Sequence, residues 1–351
     1  MTSPPEPDLL HHGDRDVRPG LVDLAVNVRR SGPPPWLAAV IAETIGGLGA
    51  YPDPSTAREA IAARHAVDPS CVLPTAGGAE AFTLLARALE PRPCLVVHPQ
   101  FTEPEVALRA ARHSVQRHLL QPEDGFRLDP ATVASGPDLV VVGNPTNPTG
   151  RLHPAADLLA LRRDGRVLVV DEAFMDAVPG ETESLLRERD LHGVLVLRSL
   201  TKTWGLAGLR AGYVVGDPEL VARLAAVQPP WSVSAPALAA MAACSSPEAV
   251  GSAADEAGTI TTHRAVLVEL LTQAGFPPVP GSAAPFVLVD TASLGPQSVR
   301  EQLAERGFAV RRGETFPGLG PTWIRLAVRP PDVSTALAEA LTDLRRSHRV
   351  P

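Results

Sequence analysis

The chain has 351 residues, 44 % of them hydrophobic and 20 % charged, a composition that suits a folded protein large enough for two unequal lobes. A net charge of −7 and scattered arginines leave no basic face for nucleic acid or an anionic membrane. No stretch is long and apolar enough for a membrane span, the N-terminus has no apolar signal segment, and Cys71, Cys94 and Cys244 are too far apart for a C-x-x-C, so the expected setting is a reducing cytoplasm.

Residues 1–20 are rich in proline and charge and read as an extended arm rather than a packed element. From about 70 to 217, short apolar runs alternate with amphipathic segments. The runs are 95-LVVH-98, 139-LVVVG-143, 166-RVLVVDEA-173, 194-VLVLRS-199 and 211-AGYVVG-216; helical segments between them include 79–90, 103–113 and 155–163. Unbroken Val/Leu runs of this length suit strands buried on both faces, so the spacing predicts a mainly parallel sheet between helices, an α/β architecture. The run 235-APALAAMAAC-244 reads as a packed helix. After about 255 the texture changes to a helix (258–274), a strand (286–290), a helix (297–306), strands at 308–312 and 323–328, and a closing helix (333–346). That is a second, smaller α+β lobe.

Polar residues and glycines gather where the predicted strands end, the edge at which open α/β sheets bind ligands. The segment 198-RSLTKTWGLAGLR-210 holds Lys202, the only lysine in a chain with thirty-one arginines. A bias toward arginine explains the missing lysines and leaves the remaining one to be explained by chemistry. A desolvated lysine loses its proton and attacks carbonyls, which a guanidinium cannot do. Ser199 and Arg210 beside it suit a phosphate monoester. In 170-VDEAF-174, Asp171 closes a buried strand and calls for a positive partner, unless it serves only as a helix cap. The turn 143-GNPTNPTG-150 is a rigid strand exit. The turn 75-TAGGAEA-81 opens a helix whose first amides can cradle an anion, or is a plain packing turn.

Together these motifs resemble the fold-type I pyridoxal-phosphate enzymes of the aminotransferase class I/II group, from about residue 20 to 345. The resemblance implies a large domain with a mainly parallel seven-stranded sheet between helices plus a smaller α+β domain. Its expected divisions are an arm over 1–20, a cofactor-binding domain over 45–255, and a small domain from 21–44 and 256–351. Residue by residue, it implies that Lys202 bonds the aldehyde of pyridoxal 5'-phosphate and that Asp171 pairs with its pyridine N–H. Asn147 then bonds the ring oxygen and Phe101 stacks on the ring. Ser199, Arg210 and the backbone of Gly77, Gly78 and Ala79 hold the phosphate. Tyr51 reaches the phosphate site of a neighbouring subunit, so a homodimer with shared sites is expected. Arg311, Arg325, Asn27 and, from the arm, His11 are the expected substrate contacts. No metal is expected, since no His/Cys/Asp grouping has ligand spacing.

Within the group, the chain is most similar to threonine-phosphate decarboxylases and histidinol-phosphate aminotransferases. The arm motif 11-HHGD-14, Phe174 in 171-DEAFMD-176, and 310-VRRGETFPGLGPTWIR-325 favour the decarboxylase side, which serves cobalamin side-chain synthesis. Ala76 and Arg29 depart from it, each standing where asparagine is common. The first expectation is therefore decarboxylation of L-threonine O-3-phosphate; the second is amino transfer from a histidinol-phosphate-type amine to 2-oxoglutarate. A non-catalytic protein of this fold is the remote third.

Overall fold

A computed structural model describes residues 6–90 and 92–348. The first five residues of the expected arm, position 91, and the last three of the expected small domain lie outside the described residues. The chain opens with β1 (Val22–Leu24), α1 (Pro35–Glu43), α2 (Ser55–His65) and β2 (Val72–Thr75). It continues through α3 (Gly77–Ala88), β3 (Pro93–His98), α4 (Glu103–Ala110), β4 (Ser114–Leu119), β5 (Leu139–Gly143), α5 (Ala155–Leu159) and β6 (Val167–Asp171). Then follow β7 (Val194–Ser199), α6 (Thr201–Trp204), β8 (Gly212–Gly216), α7 (Pro218–Val227), α8 (Ala235–Cys244) and α9 (Pro247–Gln273). The last part holds β9 (Phe286–Asp290), α10 (Arg300–Ala304), β10 (Phe308–Arg312), β11 (Trp323–Ala327) and α11 (Pro331–Ser347).

Seven strands form one sheet in the order β2-β8-β7-β6-β5-β3-β4, parallel except for β8. The expected fold class is what is seen. Alternate residues of each central strand feed two different cores. Val140, Val142, Leu168, Val170, Val194 and Val196 pack under Leu158, Leu238 and Met241. Leu139, Val141, Val169, Leu195 and Leu197 pack under Phe82, Leu85, Leu108 and Leu224. Strands with apolar side chains on both faces must be covered on both faces, which is why the helices divide between them. A fully buried side chain of this kind contributes about 1.5–3 kcal/mol.

The smaller sheet, β1-β10-β11-β9, is mixed, with only β1 and β10 parallel. Its core joins Val287, Val289, Val310 and Ile324 to Leu267 and Leu271 of α9 and Leu337 and Leu341 of α11. Two details differ from the sequence reading. Position 255 lies inside α9, which starts earlier than expected because Ser246 caps it and Pro247 occupies its first turn. Leu37 of α1 joins the large sheet's core, so that helix packs with the large layer and not with the small one. Among the described residues, no helix is long and apolar enough to cross a membrane.

Candidate active site

The register of the large sheet lines up the chemistry. Gly143 pairs with Asp171, Ser199 pairs with Gly212, and Gly212 pairs with Thr75. The ends of β5, β6, β7 and β2 therefore share one edge, where a cavity of ≈ 510 Å³ opens toward the smaller sheet. Gly78, Ala79, Phe101, Asn147, Asp171, Ser199, Lys202 and Arg210 line it from the large sheet; Asn27, Arg311 and Arg325 line it from the other side. Eleven of the expected site residues thus meet in one place.

Lys202 sits in α6, directly after β7. Burial, then the nearby Arg325 and Arg210, lower its pKa to about 8, with Asp171 pulling the other way. Asp171 accepts a hydrogen bond from the Ala173 amide at 3.0 Å. Burial nevertheless raises its carboxyl to about 6, because that amide and Lys202 offset the lost water only partly. A cationic ring nitrogen beside this carboxylate would supply the missing partner.

The anion end of the cavity is built from backbone. Helix α3 begins with no side-chain cap on its first amides, which leaves them and the helix dipole for a ligand anion. Gly77 does not line the cavity itself. It has φ +77, and a Cβ there would meet the Arg210 guanidinium at 2.8 Å, so glycine is what lets Arg210 lie across the helix start. The donors and the buried carboxylate fit the cofactor that the resemblance implies.

Arg325 donates to Asn147 Oδ1 and the Ala25 carbonyl. With the Asn27 amide turned so that its oxygen faces the guanidinium, Arg325 donates to it at 3.0 and 3.2 Å. All these acceptors are neutral. Arg311 differs: it donates to Asp16 Oδ2 at 3.3 Å and to the His11 carbonyl at 2.8 Å, over the Phe316 ring. Phe174 faces the cavity and meets Phe286 edge-on at 5.0 Å.

From Glu6 onward the arm is packed, contrary to the expectation of an extended arm rather than a packed element. Glu6 accepts from Arg117 at 2.9 Å, and the Leu9 carbonyl accepts from Thr102 Oγ1 at 2.7 Å. His12 Nε2 lies 2.8 Å from Glu103. Asp16, buried, is shared by Arg311, Arg312 and His11. Consequently His11 does not line the cavity. Its side chain turns to Asp16 at 3.2 Å, and His12 faces the cavity instead. Tyr51 is also absent from the cavity of its own chain; it is 76 % exposed and stacks on Trp231 at 4.2 Å. Asp16 and Phe316 were not picked out from the sequence. Asp16 stands in no motif, and only the fold brings it to Arg311; Phe316 lies within the 310–325 segment and was a legible omission, as was Thr102 beside Phe101. Among the described residues, no three His, Cys, Asp or Glu side chains gather as a metal site.

The family model described as "Aminotransferase class I and II" matches residues 19–341. A protein of Mycobacterium tuberculosis named histidinol-phosphate aminotransferase is 48 % identical over 334 residues, covering 94 % of this chain and 90 % of the relative. A threonine-phosphate decarboxylase of Salmonella typhimurium is 30 % identical, covering 92 % of this chain and 91 % of its own. Among solved structures, the aspartate aminotransferase of Thermus thermophilus with maleate superposes with a TM-score of 0.82 at 28 % identity, over 93 % and 91 % of the two chains.

Proposed function

This chain belongs to the class I and II aminotransferase family, and from that premise we propose that it transfers the amino group of a small phosphorylated amine of the histidinol-phosphate type to 2-oxoglutarate. Enzymes of this family depend on pyridoxal 5'-phosphate. When bound, the cofactor supplies an aldehyde for the substrate amine and a protonated ring that takes up the electron pair left at the substrate carbon. The residues do the rest. Lys202 presents an amine that is partly neutral near pH 8 and can take and return a proton at the substrate carbon. Asp171 would keep the cofactor's ring nitrogen protonated. Ser199, Arg210 and the amides of Gly78 and Ala79 would hold its phosphate, with Gly77 giving Arg210 its room. Phe101 would pack on the ring. Asn147 Oδ1 accepts from Arg325, and its Nδ2, which makes no hydrogen bond among the described residues, would donate to the ring oxygen. Arg325 and Asn27 receive the substrate anion. The carrying observation is one desolvated lysine and one aspartate that, among the described residues, has a backbone amide but no ion-pair partner, both lining the same cavity.

Decarboxylation of O-phosphothreonine in cobalamin side-chain synthesis is the second reading. The sequence motifs alone rank it first, and Phe174 and the 310–325 segment speak for it. The relatives reverse the order: identity is 48 % toward an aminotransferase and 30 % toward a decarboxylase. Physically, the choice rests on which bond at the substrate carbon the arginines hold perpendicular to the cofactor plane. The purified enzyme, offered histidinol phosphate with 2-oxoglutarate, should form glutamate. Carbon dioxide from O-phosphothreonine with no glutamate in the first assay would replace this reading by the second.

We read the assembly as a homodimer. Ile45, Leu48, Tyr51 and Trp231 are exposed apolar side chains, and a second copy would cover them and bring Tyr51 to its phosphate site. Three free cysteines fit a reducing cytoplasm.

A further inference from the structure

The helix that carries Lys202 has only four residues, too few to hold its own geometry. It is fixed from outside, and one of the clamps is closed into a ring. The Arg29 amide donates to the Lys202 carbonyl at 3.2 Å. The next residue, Thr203, is fully buried and donates from Oγ1 to Asp176 Oδ2. Asp176 Oδ1 in turn lies 3.6 Å from the Arg29 guanidinium, whose side chain is 6 % exposed. Gly205, with φ +67, lets this clamp close: a Cβ there would meet the Gly32 carbonyl at 2.6 Å.

The pair is costly. None of the three guanidinium nitrogens of Arg29, nor Asp176 Oδ1, makes a hydrogen bond among the described residues. Glu256 stands 3.8 Å from Arg29, and it also pairs with Arg30 at 2.6 Å. Burial raises the Asp176 carboxyl, against Arg29 and Thr203; Glu181 and Arg198 act on it from farther away. Such a pair adds little to stability over an apolar contact, so stability alone does not account for it. Its members hold Lys202 at its own carbonyl and through the next residue, Thr203.

We propose that Arg29 is a positioning residue for Lys202: with Asp176 it closes a ring through Thr203 that sets where the lysine amine points. This rests on the reading of Lys202 as the reacting amine. Lys202 itself faces Asp171 from β6, Arg325 from β11, and Arg210, none of which belongs to the ring.

The chain's single lysine makes the test readable. Reductive methylation with labelled formaldehyde puts one side-chain NMR probe on Lys202, and its pH titration can be followed in the cofactor-free protein. In Arg29→Met the turn loosens and admits water, so the lysine titration moves upward from the wild-type midpoint. In the loaded enzyme kcat falls on the order of 10²-fold, with KM little changed. If Arg29→Met does not fold, Arg29→Met/Asp176→Asn removes both charges and leaves no orphan; the same two shifts are expected. A lysine titration and kcat at wild-type values in either folded variant overturn the proposal. Should the wild-type enzyme turn over no phosphorylated amine, the functional reading fails, and the lysine titration still decides this one.

Discussion

In the proposed reading, a single amine carries the chemistry at the scale of the residue. Lys202→Arg keeps the charge and cannot form an imine, so turnover should fall on the order of 10³-fold or more; a variant within tenfold of wild type in the glutamate assay would remove Lys202 from its role. Asp171→Asn keeps the shape and removes the charge. Because Asp171 raises the Lys202 pKa, its loss should push the lysine lower still and weaken cofactor retention in dialysis; unchanged retention would show that the ring nitrogen has another partner. The solitude of Lys202 was legible because lysine is absent elsewhere, and the strand-end position of Asp171 because a carboxylate interrupts a Val run. The difference between His11 and His12 was not. Adjacent residues carry the same chemistry, and only the turn Gly13–Asp16, anchored by Asp16, decides which ring faces the cavity.

The arm and its anchor dominate the next scale, that of elements. Asp16 is buried against Arg311 and Arg312. Asp16→Asn leaves the buried Arg311 without a carboxylate partner among the described residues, whereas Arg312 keeps Glu314 at 3.9 Å; removing one partner of a buried pair costs about 3–5 kcal/mol. The expected result is a lower urea midpoint and faster proteolysis ahead of residue 16; an unchanged midpoint together with an uncut arm would deny it the anchoring role. Strands were legible in proportion to their burial. β5, β6 and β7 read as unbroken apolar runs, but β4 (SVQRHL) sits at the sheet's edge with mostly polar, partly exposed side chains and gives no run at all. β2 is four residues long and contains Pro74, which an edge strand tolerates. The early turns of α9 escaped notice because Ala, Gly and Ser there carry no amphipathic stripe.

For the molecule as a whole, buried ionisable groups predict acid lability. Burial lowers His65 to about 2 and His153 to about 3. Unfolded, both imidazoles take up protons below about pH 6.5. The unfolded state therefore binds more protons between there and pH 3, and stability falls as the pH drops. Glu105 and Glu181 add to this. Burial pushes both up, but His98 and Arg117 in one case and Arg198 and Arg64 in the other draw them down to about 2. They resist protonation that the unfolded chain accepts from about pH 4.3 downward. Asp171, raised to about 6, has the opposite sign, as do Glu172 and Asp176, which burial also raises; His11, His98 and His118, lowered by burial, reinforce His65 and His153. The urea midpoint should thus decline steadily from pH 7 to pH 4; a flat profile would show that these side chains are solvated. Light scattering should give a particle of two chains, and Tyr51→Ser/Trp231→Ser should shift it toward one, whereas a wild-type monomer would refute the shared-site reading.

The α/β class and the strand-end edge where the proposed site residues gather follow from the sequence, because strand burial writes itself as Val/Leu runs, and the proposed imine chemistry restricts its residue to lysine. The arm's docking, the unequal pairing of Arg311 and Arg325, and the ring from Arg29 to Asp176 were decided by tertiary structure alone. Each joins charged residues distant along the chain, and a charge in a sequence carries no mark of which opposite charge the fold will bury beside it.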